Sequence, residues 1–265
     1  MCYYRCDKMV KLEYELRDGN HIPALGLGTW ALRGSRCTYI VKRAIELGYK
    51  HIDTADAYGN HEEIGEAIKD FDRSKIFLTS KVRPSNLRYR DLIQDCNRSL
   101  RELGTSYLDL YLIHWPNESI PIQETLKAFN ELVDEGKIRS MGVSNFAIHH
   151  LNNALQVEKQ PITNNQVKFH PYDYAQELLD YCQKQNIVFT AYSPLGRARI
   201  LHNRTIQEMA KKYNRTSAQI CLRWCLQKGA VVIPKTSSEA RLKENMDIFD
   251  WKITSEDMKT IDSHN

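Results

Sequence analysis

The sequence predicts an eight-stranded β/α barrel, and three observations lead to that prediction. Short apolar runs rich in β-branched residues alternate with amphipathic stretches almost to the end of the chain. Eight such units fill 265 residues, close to the roughly 250 typical of a closed barrel, which favours a barrel over an open doubly wound sheet. Gly26-Leu27-Gly28 lacks the third glycine of a dinucleotide-binding motif and no helix follows at once, so a Rossmann fold is not expected.

A β-hairpin is predicted before the first of these units. The segment VKLEYELRDGNHIP alternates apolar and polar residues around Asp18-Gly19, a pair typical of tight turns. The eight predicted strands follow at residues 24–30, 49–54, 76–82, 108–115, 138–144, 165–169, 188–193 and 231–236. The predicted helices between them lie at 35–47, 61–69, 89–103, 122–135, 147–157, 175–185 and 217–227. Two extra C-terminal helices are predicted at 238–245 and 255–263, the second capped by Thr254.

The composition and the charge narrow the classes of function. Hydrophobic residues make up 42% of the chain and charged residues 26%, which permits a packed core. The net charge of +4 comes from 37 basic and 33 acidic residues that form no basic stripe, so we expect no nucleic-acid partner. No apolar run approaches the roughly 18 residues that a membrane span needs, so we expect no membrane partner.

The chain is predicted to be a single domain over residues 1–265, since no linker or change of composition divides it. Residues 1–8 precede any structured pattern, lack the apolar core of a secretion signal and are expected to be a disordered leader. Seven scattered cysteines indicate a reducing cytoplasm, not a disulfide framework. Cys221 and Cys225 share one face of a predicted helix and are interpreted as packing residues, so no metal site is predicted.

Four polar residues at predicted strand ends suggest a catalytic site, because these ends face the active-site mouth of a β/α barrel. Asp53 ends the second strand and precedes Tyr58, Lys81 ends the third strand, and His114 ends the fourth. A lysine that closes an apolar run is desolvated and needs a carboxylate, and Asp53 is the nearest candidate. Taken singly, Asp53 and Lys81 fit a structural ion pair and His114 fits a buried core histidine. Four polar groups that converge on one mouth favour a catalytic site.

These residue types suit the delivery of a proton to a carbonyl oxygen. A phenol with a pKa near 10 is a poor acid at neutral pH, and a neighbouring ammonium is expected to lower that pKa. Asp53 would hold Lys81 charged, Tyr58 would donate the proton, and a neutral His114 would hydrogen-bond the same oxygen. The set holds neither a nucleophile nor a metal triad, so we expect the electrons to arrive as hydride from a nicotinamide.

Seven segments resemble, in order, the signature segments of the aldo-keto reductases: GYKHIDTADAYGN, LTSKV, LDLYLIHWP, GKIRSMGVSNF, NNQVKFHPY, TAYSPLG and IPKTSSEARLKEN. The resemblance as a whole runs from about residue 25 to residue 251, nearly the whole chain. The resemblance implies a (β/α)8 barrel that binds NADPH across its mouth and reduces aldehydes and ketones to alcohols by hydride transfer. At matching positions Tyr58, Lys81, His114 and Asp53 resemble the catalytic tetrad of the family.

The resemblance also implies a set of contacts with the cofactor. Some residues match those that bind the nicotinamide carboxamide, stack on its ring or surround the pyrophosphate, and others match those at the adenosine. In chain order the implied cofactor-binding residues are Thr29, Asp53, Ser144, Asn145, Gln166, Tyr192, Ser193, Leu195, Lys235, Thr236, Ser237, Ser238, Arg241, Glu244 and Asn245.

The last of these groups bears on the choice between NADP and NAD. Lys235, Thr236, Ser238 and Arg241 match the positions that grip the adenosine 2′-phosphate in the family. Independently of any family, two cations and two hydroxyls beside the start of a helix form a reasonable phosphate site. Taken alone, the same residues fit an ordinary solvated helix equally well.

Short covering loops predict an open substrate pocket. Only nine residues separate Trp115 from Thr125, and the chain ends soon after its final helix, which resembles compact microbial members such as diketogluconate and methylglyoxal reductases. We therefore expect a monomer with a shallow mouth and broad specificity for small carbonyl substrates. The residues expected to line that mouth are Trp30, Tyr58, His114 and Trp115, with Ala57 and His61 nearby.

Two other functions remain open on the sequence. An NADPH-binding regulatory or structural member of the same fold would bind the cofactor with little turnover. A barrel aldolase would use Lys81 as a Schiff-base nucleophile. The complete set of four proton-handling residues favours the reductase over the first, and the phosphate-gripping segment favours it over the second.

Overall fold

The structure is a computed structural model that describes residues 10–263. Its strands lie at Glu13–Glu15 (β1), His21–Pro23 (β2), Leu27–Gly28 (β3), His51–Asp53 (β4), Phe77–Val82 (β5), Leu108–Ile113 (β6), Ile138–Ser144 (β7), Ile162–Lys168 (β8), Val188–Tyr192 (β9) and Val231–Val232 (β10). Its α-helices lie at Gly34–Leu47 (α1), His61–Ile68 (α2), Tyr89–Leu103 (α3), Ile122–Asp134 (α4), Ile148–Leu155 (α5), Gln176–Lys184 (α6), Arg204–Tyr213 (α7), Ser217–Gln227 (α8), Glu239–Met246 (α9) and Ser255–Asp262 (α10). Short 3-10 helices lie at Asp56–Tyr58, Arg73–Lys75, Pro84–Asn86 and Gly196–His202.

Strands β3 to β10 form one parallel sheet in which neighbours in the chain are neighbours in space. The first and last strands also meet, because Leu25 bridges to Val232 and Gly28 bridges to Lys235. The Gly26 N–H donates to the Val232 carbonyl at 2.9 Å across the same seam. With helices between its strands and two more after β10, the chain has the predicted (β/α)8 architecture with extra C-terminal helices.

The strands on either side of this seam are shorter than predicted. Strands were expected at 24–30 and 231–236, but regular pairing covers two residues in each of β3 and β10. The backbones pass unusually close here, since a Cβ at Gly28 would lie 2.6 Å from the carbonyl oxygen of Ile233. The seam is therefore held by single bridges and by a glycine that permits this close approach.

The predicted N-terminal hairpin is present, with β1 and β2 antiparallel and Glu15 opposite His21. Its loop covers residues 16–20, longer than the two-residue turn that the Asp-Gly pair indicated. Leu16 and Ile22 pack against Phe77, Leu110 and Val231 of the barrel strands. The hairpin thus closes the amino-terminal end of the barrel and leaves the carboxyl ends of the strands as the open mouth.

Helix α7 was not among the predicted elements, although its signals are in the sequence. The side chain of Asn203 caps it by accepting from the Thr205 and Ile206 N–H groups. Ile206 and Met209 are its buried residues, at the three-residue spacing of a helix face. Within residues 10–263 none of the helices combines the length and the apolar character needed to cross a membrane.

The cysteines of the described residues are buried and free. Cys221 and Cys225 on α8 are fully buried and pack in the main core, as the packing interpretation requires. Burial also raises the pKa of the Cys37 and Cys96 thiols to about 12. The predicted leader at residues 1–8, with Cys2 and Cys6, lies outside the described part of the chain.

Alternate residues of β4 and β5 point into the barrel, and the interior becomes polar towards the mouth. Phe77 lies at the bottom with the apolar cluster under the hairpin. One layer higher, the His51 Nε2 and Thr79 Oγ1 atoms are 3.0 Å apart. Asp53 and Lys81 form the next layer, at the ends of the two strands. The pleat of these strands therefore places two charged groups at the floor of the mouth.

We expect His51, buried inside the barrel, to make the stability of the fold depend on pH. His51 is 1% exposed, and burial lowers its pKa to about 4. The unfolded chain, with a histidine pKa near 6.5, takes up the proton first, so stability is lost as the pH falls from about 6.5 towards 4. When the pH is lowered from 7.5 to 5, the free energy of unfolding of the wild type should fall by about 2 kcal/mol more than that of a His51→Gln variant.

Urea unfolding of both proteins at the two pH values measures this difference. The Gln variant is expected to be less stable at both pH values, which does not matter because only the change with pH is compared. Parallel changes in the two proteins would contradict the assignment of a neutral, buried His51.

Candidate active site

Lys81 and Asp53 form a buried ion pair at the floor of the mouth. The Lys81 Nζ atom is 2.6 Å from Asp53 Oδ1 and 2.7 Å from the carbonyl oxygen of Thr54. Lys81 is fully buried and Asp53 is 2% exposed. Burial alone would lower the pKa of the ammonium, but Asp53 and then Tyr58 outweigh it, so the net shift of the Lys81 pKa is upward. The lysine is therefore a fixed positive charge.

Tyr58 lies beside this ammonium. The Lys81 Nζ atom is 5.1 Å from the centre of the Tyr58 ring, and both its charge and a hydrogen bond from it act on the phenol. Burial raises the pKa of the Tyr58 phenol and Lys81 lowers it, and burial is the larger effect. From the sequence we expected a net lowering of this pKa. The direction of the lysine effect is as expected, but it offsets only part of the desolvation.

His114 completes the group as a neutral imidazole. Its ring meets the Tyr58 ring edge to face at a centroid distance of 5.7 Å. Burial, followed by the charge of Lys81, lowers the pKa of His114 to about 4. At neutral pH the ring is uncharged, and it can share a substrate oxygen with Tyr58 without adding a second charge to the floor.

The turn that carries Tyr58 is held at both ends. On one side the Asn60 side chain donates to the carbonyls of Thr29 and Leu32, and its Oδ1 accepts from the Thr54 hydroxyl at 2.7 Å. On the other side Asp56 pairs with two arginines, Arg83 and Arg98. Asn60 was not predicted from the sequence, where its only signal is its place beside the Tyr58-Gly59 turn.

A second hydrogen-bond network lies across the mouth from Tyr58. The Tyr192 hydroxyl donates to Asn145 Oδ1 at 3.0 Å, and Asn145 Nδ2 donates to the carbonyl of His114 and to Ser144 Oγ. Ser144 in turn donates to the carbonyl of Gln166 at 2.7 Å. The Gln166 amide donates to Asp53 Oδ2 at 2.7 Å, so the network ends on the buried carboxylate.

These groups open into one cavity of about 320 Å³ at the carboxyl ends of the strands. Of the residues that the sequence singled out for the site, those on its lining are Thr29, Trp30, Asp53, Ala57, Tyr58, His114, Trp115, Ser144, Asn145, Gln166, Tyr192, Ser193 and Lys235. Lys81 lies beneath this lining. Leu195, in the loop after β9, does not contact the cavity.

Two residues of the mouth differ from expectation. His61 is buried away from it, with ring nitrogens 3.1 Å from Glu102 and 3.0 Å from Ser80, because the first turn of α2 faces α3. Arg197 lines the cavity, although no motif in the sequence pointed to it. Its guanidinium lies 5.2 Å from the centre of the Trp30 ring, on a loop where Arg197 and Ala198 adopt left-handed backbone angles.

The remaining predicted cofactor residues form a turn and a helix start beside the cavity. Lys235, Ser237 and Arg241 are exposed, and neither cation has a carboxylate partner among residues 10–263. Thr236 is buried, and its hydroxyl accepts the Ser238 N–H at 3.0 Å, which closes the turn before α9. Unpaired cations and hydroxyls at such a turn fit an anionic group such as a phosphate.

The last two predicted residues serve the packing of α9 as the structure stands. The Glu244 carboxylate accepts the Thr216 hydroxyl at 2.5 Å, and Asn245 is buried beside Tyr49. These contacts join α9 to the start of α8 and to the segment between α1 and β4. They leave the turn at Lys235 and Arg241 as the charged part of this segment.

The structure argues against the Schiff-base alternative for Lys81. A nucleophilic lysine must reach substrate as a free amine. Here the ammonium is fully buried, donates to two oxygens, and has a raised pKa.

One group with metal-ligand chemistry occurs within residues 10–263, away from the mouth cavity: Glu118, His149 and His150. The His150 Nδ1 atom accepts the Ala147 N–H, and its Nε2 atom lies 3.2 Å from Glu118. Glu118 and His149 are exposed to solvent. We assign no metal site to the group.

The chain is similar to known proteins over nearly its whole length. A model of the Aldo/keto reductase family matches residues 24–265. Glyoxal reductase of Bacillus subtilis (strain 168) is 43% identical over 255 residues, which cover 95% of this chain and 92% of that protein. The 9,11-endoperoxide prostaglandin H2 reductase of Trypanosoma cruzi (strain CL Brener) is 40% identical over 270 residues, which cover 100% of this chain and 93% of that protein.

The fold comparison gives the same result. The crystal structure of an aldo/keto reductase from Brucella melitensis superposes with a TM-score of 0.91 at 40% identity, covering 96% of this chain and 99% of that one. The fold and the sequence therefore agree, and the chain belongs to the aldo/keto reductase family of carbonyl-reducing oxidoreductases.

Proposed function

We propose that the protein reduces small aldehydes and ketones to alcohols with NADPH, with Tyr58 as the general acid. The observation that carries the proposal is the buried Lys81 ammonium, fixed by Asp53 and set against Tyr58 at the floor of an open cavity. A positive charge held in this place favours the phenolate that remains after the proton has left.

The protonation states suit a proton donor. Because burial raises its pKa, Tyr58 keeps its proton at neutral pH until substrate arrives. As negative charge develops on the carbonyl oxygen, the phenol donates its proton to that atom, and Lys81 stabilises the phenolate. Asp53 touches no reacting atom in this account. It acts as a positioning residue that keeps Lys81 charged and in place.

His114 orients the substrate. Its neutral ring, edge to face with Tyr58, offers a second hydrogen bond to the same oxygen. Since the pKa of His114 is about 4, it neither competes with Tyr58 as an acid at neutral pH nor repels Lys81.

Bound NADPH would supply the hydride that reduces the carbonyl carbon. The residues that would hold its nicotinamide end are Ser144, Asn145, Gln166 and Tyr192, whose polar groups converge across the cavity from Tyr58. Thr29 and Ser193 line the same cavity, and Leu195 follows in the loop expected to surround the pyrophosphate. Lys235 and Arg241, exposed and without carboxylate partners in the described chain, would meet the 2′-phosphate.

The mouth suits small and varied substrates. Trp30 is 53% exposed and Trp115 is 49% exposed, so two large aromatic surfaces border the cavity without being covered. The relative from Bacillus subtilis is named for glyoxal, which makes α-dicarbonyl compounds the first class to examine.

The same proposal extends to the state of the protein. We propose a single domain over residues 1–265 that acts as a monomer in a reducing cytoplasm. Support for the reducing compartment comes from the five free cysteines of the described residues, all of which are buried.

A Tyr58→Phe variant is expected to bind NADPH with a Kd within about threefold of wild type and to lose nearly all turnover, by a factor of 10² to 10⁴. The phenol is removed while the contacts to the cofactor remain. Fluorescence titration with NADPH measures the Kd. Spectrophotometric NADPH oxidation with α-dicarbonyls, sugars and aromatic aldehydes measures the turnover. Reduction at the parental rate would show that another group is the acid.

The assignment of the 2′-phosphate is tested at Arg241. An Arg241→Ala variant should raise the KM for NADPH by roughly tenfold and leave the KM for NADH nearly unchanged, because NADH lacks the 2′-phosphate. Steady-state kinetics with both cofactors measure the two constants. An equal rise in both would remove this residue from the phosphate site.

A further inference from the structure

One face of α1 holds the start of α9. Arg36, Tyr39 and Arg43 are spaced three and four residues apart, so they lie on one side of the helix. All three reach towards the segment that follows β10, at Ser237 and Glu239. These contacts join the first helix of the barrel to the turn proposed to bind the 2′-phosphate.

Arg36 brings a positive charge directly to that turn. Its Nη2 atom donates to the carbonyl oxygen of Ser237, the residue between Thr236 and Ser238 in the chain. Within residues 10–263 Arg36 forms no ion pair, and its other close contact is the Tyr39 ring, 5.4 Å from the guanidinium carbon. The remaining N–H donors of this guanidinium are therefore not paired with a carboxylate of the described residues.

Glu239 presents the opposite charge at the same place. This carboxylate is in the first turn of α9, next to Ser238 and two residues before Arg241. A negative charge here would repel a phosphate. Its Oε1 atom is 2.8 Å from Arg43 Nη2, and its Oε2 atom accepts the Tyr39 hydroxyl at 3.0 Å.

These partners also keep Glu239 ionised and directed towards α1. Hydrogen bonds from Arg43 and then Tyr39 lower its pKa to about 2. Lys243 adds a weaker contact at 3.6 Å. The acid is thus permanently charged, and its effect on a neighbouring anion depends on whether Arg43 is present to compensate it.

We propose that α1 sets the preference for NADPH: Arg36 is a third cation for the 2′-phosphate, and Arg43 cancels the repulsion of that phosphate by Glu239. The proposal rests on the proposed function, since it assumes that the turn at 235–241 takes the 2′-phosphate. It adds two residues from the opposite end of the chain, which belong to none of the segments that mark the family in this sequence.

The test compares Kd values for NADPH and NADH, measured by fluorescence titration, in variants of α1. Arg36→Gln should weaken NADPH binding roughly threefold to tenfold and leave NADH binding unchanged. Arg36→Lys keeps the charge and should therefore weaken NADPH binding less than Arg36→Gln does. Added salt should reduce the NADPH preference more in the wild type than in Arg36→Gln, because an exposed charge is screened.

A double-mutant cycle isolates the second half of the proposal. Arg43→Gln alone should weaken NADPH binding about threefold, because Glu239 is left uncompensated. Glu239→Gln alone should leave NADPH binding unchanged or slightly tighter, and the double variant should return to the wild-type Kd. Such a rescue would not follow if Arg43 acted only by supporting the fold, because the double variant would then bind no better than Arg43→Gln.

Lys42→Gln is the matched control. It removes one positive charge from the same helix, but Lys42 faces away from α9 and pairs with Asp70 at 3.3 Å. Its NADPH and NADH constants should both equal those of the wild type. If Arg43→Gln failed to fold, the Arg36 pair of variants would still test whether α1 contributes to the preference for NADPH.

The outcomes separate this inference from the proposed function. A wild-type protein that binds NADPH no better than NADH would refute both. A wild type that prefers NADPH, with the same preference in Arg36→Gln and Arg43→Gln, would overturn the role of α1 alone. Equal weakening of both cofactors in these variants would also overturn it, because the residues would then only support the turn.

Discussion

The buried ion pair between Lys81 and Asp53 is the constraint on which the site depends. Two charges without solvent contact are costly unless each is fully paired, and here the ammonium has two oxygen partners and the carboxylate has a second donor in Gln166. The barrel makes this possible, because the pleats of β4 and β5 place both residues on the interior at neighbouring strand ends. Removing either partner would leave an uncompensated charge at the floor of the mouth.

The same pair sets the electrostatics of the groups above it. Lys81 lowers the pKa of Tyr58 by less than burial raises it, so the phenol stays protonated. Lys81 adds to the effect of burial on the pKa of His114, so the imidazole stays neutral. The only group of the three that carries a charge is therefore Lys81 at the floor, and Tyr58 and His114, which face the cavity, are neutral hydrogen-bond donors. In the proposed reaction this arrangement stabilises negative charge only where it forms, which is the requirement for lowering a barrier instead of tightening ground-state binding.

Much of this arrangement could be predicted from the sequence, and particular residues show why the rest could not. Strand periodicity and the strand-end rule were enough to bring Asp53, Lys81 and His114 to one mouth. The net direction of the Tyr58 pKa shift was predicted incorrectly, because it depends on how much desolvation the packed mouth imposes. Arg197 and the contact of Arg36 with Ser237 were also missed, since they arise from loop backbone angles and from helix packing between distant parts of the chain.

The central claim is that Lys81 acts through Tyr58, and a double-mutant cycle on the rate of hydride transfer tests it most directly. Stopped-flow single turnovers with NADPH and an α-dicarbonyl would compare the wild type, Lys81→Met, Tyr58→Phe and the double variant. If the two residues form one proton-donating unit, Lys81→Met slows transfer by at least about 100-fold and the double variant is no slower than Tyr58→Phe. Effects that multiply in the double variant would show that the two side chains act independently and would contradict the account.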